Sequence, residues 1–381
     1  MRKLMEIFVV VILAVILIAI VTAIATPSGR LAVKTALFIP EVVSRIPVKP
    51  QRFFVDEPQK RSGQLEISDG VSAEIDIYEP AKDGIYPGVV LFLGVVPAGR
   101  EDERVVNLAK ALARSGIVVL IPWSDAMMTS YRIDMEAADL LVASYQFLED
   151  MESVDENQIG LTGFCVGASF AALAGQDERI RNKVAYVNLF GPYFDARELL
   201  LSISSSSQNL DGLVERWDPR EDAREVFATH LIEAVSDNAE RLFLKDVLMG
   251  RGSYRDHKSQ PLSAVGETVY KLLSDPDREE AERLFRGLPS SFIEDLESIS
   301  PKSNIQSLEA PILLMHDRYD KAVPVSESRE LVRSLGPRGV TYTEFLIFEH
   351  VDPNRDLPIS TVLKELWKLY LHMYNVMKFA S

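Results

Sequence analysis

The chain has 381 residues, 47% apolar and 25% charged, enough for one large α/β domain with an insertion and too apolar for a disordered protein. Asp and Glu number 56 against 41 Lys and Arg, giving a net charge of −15, and no Lys/Arg cluster forms a basic face, so nucleic acid is not an expected partner. A single cysteine, Cys165, excludes an intramolecular disulfide framework and Cys-rich metal sites, and the histidines offer no helical metal-ligand pair. With neither a P-loop nor a strand-linked GxGxxG, no cofactor is expected.

Arg2 and Lys3 precede an apolar run from Ile7 to Ala25, broken only by Thr22. As a helix those nineteen residues span roughly 28 Å, close to the hydrocarbon core of a bilayer, and they have no polar face. Residues 1–26 therefore read as a single-pass membrane anchor. Ala23-Ile24-Ala25 before Thr26-Pro27 also fits a signal-peptide cleavage site, and both readings bring the chain to a membrane. Arg30, Lys34 and Arg45 on the far side leave the positive-inside rule undecided; the short N-terminus favours an extracytoplasmic catalytic domain. Residues 27–62 read as a linker containing Pro40, Pro47 and Pro50. Within it Leu31–Ile46 is amphipathic and rests either on the membrane or on the domain.

From Gln64 short β-branched runs alternate with helical stretches, the pattern of a mostly parallel sheet covered on both faces. Gln64–Ile67 and Ala73–Tyr78 are expected strands around a Ser68-Asp69-Gly70 turn, and Gly88–Leu93 a central buried one. Helix Arg104–Arg114, strand Ile117–Ile121, helix Met135–Leu148, and strands Ile159–Thr162 and Val184–Phe190 follow. The last series is Pro311–Met315, Ser326–Leu335, Thr341–Phe348 and Ser360–Met377. Between Tyr193 and Pro301 the alternation stops: Ser204–Ser207 reads as a loop, then Ala223–Ala234, Asn238–Leu248 and Ala264–Leu273 as helices, with no strand of the sheet. The body thus divides into a first core part (63–194), a helical insertion (195–300) and a second core part (301–381). The insertion reads as a cap over the carboxyl ends of the strands, where ligands bind in such sheets, or as an accessory helical layer.

Gly163-Phe164-Cys165-Val166-Gly167 stands between an expected strand and a small-residue helix, a glycine-x-nucleophile-x-glycine turn. Gly163 and Gly167 let strand and helix approach without a Cβ, and the helix N-terminus favours a thiolate at Cys165. The Val166 amide is placed to donate to an oxyanion. An orienting acid and a base are needed, in that chain order. Asp320 in the loop His316–Pro324 is better placed than Asp317, and His350 follows the next strand, so all three converge on one edge of the sheet. His316 is the alternative base. Ser169 lacks the elbow geometry, its hydroxyl being expected to bond back to helix carbonyls. Trp123, Met127, Met128 and Tyr131 read either as an apolar acyl pocket or as core packing.

At these residues the chain resembles an α/β-hydrolase, and specifically the dienelactone hydrolase family, over roughly Gln64–Pro192 and Leu308–Tyr370. The resemblance implies the α/β-hydrolase fold and a Cys–Asp–His triad: Cys165 in GFCVG, Asp320 in HDRYDKAVP and His350 in FEH. It makes the loop after VVLFL an oxyanion loop in which Val95 donates beside Val166. Gly94 stands where that family carries a glutamate, and the insertion is longer than in simple members. The implied activity is hydrolysis of a small-molecule acyl substrate (an activated ester, lactone or thioester) through a cysteine acyl-enzyme. A non-catalytic anchored binding or sensor protein on the same fold, or an acyltransferase, is the alternative.

Overall fold

The computed structural model describes residues 11, 21, 25–68, 70–95, 99–130, 132–248, 262–336, 339–348, 350, 355 and 357–380. Its centre is an eight-stranded sheet built from β1 (Gln59–Ser68), β2 (Val71–Glu79), β3 (Tyr86–Phe92), β4 (Val118–Trp123), β5 (Val154–Phe164), β6 (Tyr186–Phe190), β9 (Ile312–Asp317) and β10 (Val340–Phe345). The spatial order is β1-β2-β4-β3-β5-β6-β9-β10. Only the pairings of β2 with β1 and with β4 are antiparallel.

The helices in chain order are α1 (Pro27–Val42), α2 (Gln51–Phe54), α3 (Glu103–Arg114), α4 (Asp125–Thr129), α5 (Ala137–Glu149) and α6 (Val166–Ala174). The insertion supplies α7 (Ala196–Ser204), α8 (Glu221–Ile232), α9 (Asn238–Leu248), α10 (Ala264–Leu272), α11 (Arg278–Phe285) and α12 (Ser290–Ser298). The second core part adds α13 (Val325–Leu335) and α14 (Ile359–Phe379). Along the buried strands alternate side chains enter opposite layers, Val90 and Phe92 one, Val89 and Leu91 the other. The first layer is closed by α5, α6 and the insertion, the second by α1, α3 and α14. Complete burial of such side chains stabilises the fold by about 1.5–3 kcal/mol each.

After β3 the chain passes through α3 on one face to β4, then through α5 on the other face to β5 on the far side of β3. The connections therefore diverge between β3 and β5. A crevice opens at the carboxyl ends of these two strands, the place where ligands bind in open α/β sheets.

Several boundaries differ from the sequence expectation. β5 begins at Val154 rather than Ile159, because polar residues 155–158 do not interrupt the extended backbone. β9 reaches Asp317, so His316 and Asp317 belong to the strand and not to the loop. The expected loop at Ser204–Ser207 narrows to a turn at Ser205 and Ser206: Ser204 ends α7, and Ser207 begins a two-stranded hairpin, β7 (Ser207–Leu210) with β8 (Leu213–Arg216), separate from the main sheet. Trp123 lies in β4 with its indole donating to Asp76 Oδ2 (3.0 Å), and Met127 is in the core, so these two pack rather than line a pocket; Tyr131 is outside the described residues.

The amphipathic segment forms α1, capped by Thr26 and closed around Phe38, Ile39 and Val43 against the domain, with Tyr370 of α14 donating to the Ala32 carbonyl (3.3 Å). Among the described residues no helix is long and apolar enough to cross a membrane. The Ile7–Ala25 run lies outside the described residues apart from Val11, Val21 and Ala25.

Candidate active site

Cys165 sits between the last residue of β5 and the first of α6, with φ 54 and ψ −132. That left-handed backbone is costly for a residue with a Cβ and is held by its surroundings. Its amide donates to Phe190 O on β6 (2.8 Å), and its carbonyl accepts from Ala168 N (2.9 Å). The two glycines of the motif do what their spacing implied. A Cβ on Gly163 would lie 2.6 Å from Ala168 Cα, and one on Gly167 would lie 2.5 Å from the Phe92 carbonyl oxygen and 2.6 Å from Gly94 N. Helix α6 can touch β5 only because Gly163 has no side chain, and can touch the backbone at the end of β3 only because Gly167 has none. Val95, just beyond β3, and Val166, at the start of α6, both line the cavity that contains Cys165.

Asp320 and His350 reach the same edge from β9 and β10. His350 Nδ1 is 2.8 Å from Asp320 Oδ2, and both side chains are buried. The other carboxylate oxygen, Oδ1, accepts from Ala322 N (2.7 Å) and Val323 N (3.1 Å), fixing the rotamer. Burial opposes ionisation of Asp320, but the charge and hydrogen bond of His350 outweigh it and hold the carboxyl below its usual range. Burial likewise opposes the imidazolium. The Asp320 charge, then charge and hydrogen bonding from Cys165, prevail, and His350 titrates well above an ordinary histidine. His350 also has a positive φ of 116.

His316 is fully buried, with Nδ1 2.7 Å from Ser328 Oγ and Nε2 3.0 Å from the Val323 carbonyl. A carbonyl needs a donor, so Nε2 carries the proton and Nδ1 accepts from the serine; burial lowers its basicity further. His316 thus braces the loop that carries Asp320, and its Nε2 also lies 3.6 Å from Asp320 Oδ2. Ser169 donates not to its own helix but to the Tyr193 carbonyl (2.8 Å), tying α6 to the chain that enters the insertion.

The structure gives Asp317, set aside by the sequence, a part in shaping the site, and adds Glu327, Trp217 and Arg220, which the sequence did not single out. Asp317 accepts from Tyr319 N and from Phe348 N, both at 2.8 Å, so it shapes the acid loop and the end of β10 two residues before His350. Burial, only partly offset by those two donors, pushes its carboxyl up to about 7. Glu327 Oε2 accepts from Phe194 N (2.8 Å) and Asp195 N (2.9 Å) where the insertion begins, and burial pushes it up to about 8. From the insertion, Trp217 Nε1 donates to the Asp320 carbonyl (2.7 Å) and Arg220 N to the Lys321 carbonyl (2.9 Å). Apart from the Asp317 bond to Tyr319 N, these contacts join segments far apart in the chain, so no local pattern marks them.

Cys165 and His350 open into a cavity of about 640 Å³. Toward the insertion it is lined by Leu199, Ile203, Val226, Phe227 and His230, so the insertion covers the edge that carries Cys165 and His350. His230 is buried there with no hydrogen-bond partner for either ring nitrogen, and burial lowers its pKa. Among the described residues no cluster of His, Cys, Asp or Glu is arranged to hold a metal ion.

No protein-family model matches the chain, nor does any curated protein sequence. Solved structures do. DcsB, in complex with its substrate analogue, is 14% identical over 85% of this chain and 100% of its own, with a TM-score of 0.51. A point mutant of the rice cell wall degrading esterase LipA from Xanthomonas oryzae is 13% identical over 84% of this chain and 90% of its own, with a TM-score of 0.50. At such identities the likeness is one of fold alone. The chain folds as an α/β-hydrolase.

Proposed function

We propose that this α/β-hydrolase-fold protein is a membrane-anchored hydrolase that cleaves activated esters, lactones or thioesters through an acyl-enzyme on Cys165, as the dienelactone hydrolase resemblance implies. The observation that carries the reading is the 2.8 Å contact of His350 Nδ1 with Asp320 Oδ2, with His350 and Cys165 lining the same cavity. His350 takes the Sγ proton as Cys165 attacks the acyl carbon, and Asp320 stabilises the imidazolium. The oxyanion is held by the Val95 and Val166 amides. His350 then protonates the leaving oxygen or sulfur, the carbonyl reforms as a thioester, and a water deprotonated by His350 releases the acid and the free thiol.

Thiolate is a better leaving group than an amine anion, so activated acyl groups suit this nucleophile and plain amides do not. Residues 1–26 would hold the body at a membrane, with the catalytic domain on the extracytoplasmic side.

The test is a pre-steady-state assay with aryl esters and an enol-lactone, with mass detection of the adduct. Burst and adduct are expected in the parent and absent in Cys165→Ala. Equal turnover by parent and Cys165→Ala would remove the nucleophile assignment. Reporter fusions at each terminus assess the membrane side.

A further inference from the structure

The cavity at Cys165 does not stop under the insertion. It also descends the opposite layer, along the face of the sheet that α1, α3 and α14 cover. Val95, Leu93, Leu91 and Val89 line it in succession, alternate residues running down β3 from the oxyanion loop. The facing wall includes Leu108 and Leu112 of α3 and Val42 of α1. From Leu93 to Val89 is a run of about 13 Å along the strand, which an extended hydrocarbon chain of about ten carbons covers.

Key polar side chains of this lower arm are engaged within the protein. Asn188 Oδ1 accepts from His372 Nε2 (3.0 Å), Glu41 Oε1 accepts from Gln51 N (2.9 Å), and Lys49 Nζ donates to the Pro40 carbonyl (2.6 Å). What they leave to a ligand is predominantly hydrocarbon surface. The upper arm differs, because it holds His230, buried with no hydrogen bond to either ring nitrogen and with Glu233 Oε2 only as near as 4.0 Å to Nδ1. A buried polar group without a partner marks the side where a substrate supplies one.

We infer that the substrate is a long-chain acyl ester or thioester whose hydrocarbon tail lies in the lower arm, between β3 and α1/α3, while its polar leaving group faces the upper arm and His230. This inference rests on the acyl-enzyme reading and assigns its acyl group. The tail runs toward α1, the helix that follows the apolar Ile7–Ala25 run directly in the sequence. Burying successive methylenes there raises kcat/KM by about two- to fourfold each until the arm is full.

The experiment uses the full chain in phosphatidylcholine nanodiscs with 4-nitrophenyl butanoate, octanoate and dodecanoate, each kept below its critical micelle concentration. The parent is expected to prefer dodecanoate over butanoate at least tenfold in kcat/KM. Leu108→Trp, which narrows the lower arm, is expected to reduce that ratio at least tenfold, and Val226→Trp, on the insertion side, to move it less than threefold. Thermal melts monitored by circular dichroism establish that both variants are folded, and the ratio within each variant is independent of its active fraction. A parent without chain-length preference, or a preference lost in Val226→Trp and kept in Leu108→Trp, overturns the inference while Cys165 acylation by butanoate still stands. Failure of every ester to acylate Cys165 overturns the underlying reading as well.

Discussion

The catalytic edge has two halves that are held by different forces. On the Cys165 side the geometry comes from sterics: a left-handed backbone, two glycines and the close approach of β3 to α6. On the Asp320–His350 side it comes from buried polar groups, with Asp317 and His316 bracing the loops by hydrogen bonds. Steric positioning is insensitive to pH and unforgiving of added atoms. Positioning by buried carboxyls tolerates isosteres but responds to protonation. Cys165 therefore has one geometry, and Asp320 and His350 have a geometry that solution conditions can tune.

Four expected outcomes probe this contrast, the largest first. His350→Ala should lower turnover by about 10⁴-fold with the fold intact, and His316→Ala should act mainly through stability, because its ring faces Ser328 and Val323 and not the thiol. Single-turnover kinetics paired with thermal melts separate the two. Gly167→Ala should cost about 3 kcal/mol, since its Cβ would meet backbone at 2.5 Å and 2.6 Å on one side and cannot relax by a rotamer change. Urea unfolding measures this, and a cost under about 1 kcal/mol would show the elbow to be looser than its sterics imply.

Asp317→Asn should lower kcat by about tenfold while changing KM little. Its amide nitrogen would face one of the two backbone donors now bound, Tyr319 N or Phe348 N, and loosen the approach to His350. The conservative exchange acts through His350, so the pH profile of kcat should shift with it; an unchanged profile would make Asp317 purely structural.

The smallest effect is on the pH dependence of stability. Glu327 has a folded pKa of about 8, above its ordinary 4.5, so the folded state holds the proton more tightly than the unfolded chain. Its contribution is greatest below pH 4.5 and declines as pH rises to about 8, then levels off. Glu327→Gln keeps one acceptor oxygen for Phe194 N and Asp195 N, so the decline in melting temperature between pH 5 and 8 should become shallower. An unaltered slope, followed by calorimetry across that range, would remove Glu327 as its source.

The two halves also differ in how far the sequence discloses them. The elbow is legible because its determinants are adjacent in the chain: Gly163, Cys165 and Gly167 act on each other's immediate backbone. The choice of Asp320 over Asp317 was legible as a position in a loop, but the reason is not. Asp317 ends β9 with both oxygens turned to backbone donors, leaving only Asp320 to meet His350. The loop at Ser204–Ser207 was legible only in its middle: Ser205 and Ser206 form a turn, but the hairpin that Ser207 opens is decided by the partner strand Leu213–Arg216.

The sequence by itself determined the alternating architecture and the glycine-flanked turn at Cys165, because periodicity and close glycine spacing are local physics. Only the tertiary structure decided that α1 packs beside α3 and α14, that Trp217 and Arg220 bind the insertion to the acid loop, and that the cavity below Cys165 follows the sheet toward α1. Each of these depends on surfaces that are distant in the chain and meet only once the strands have chosen their order.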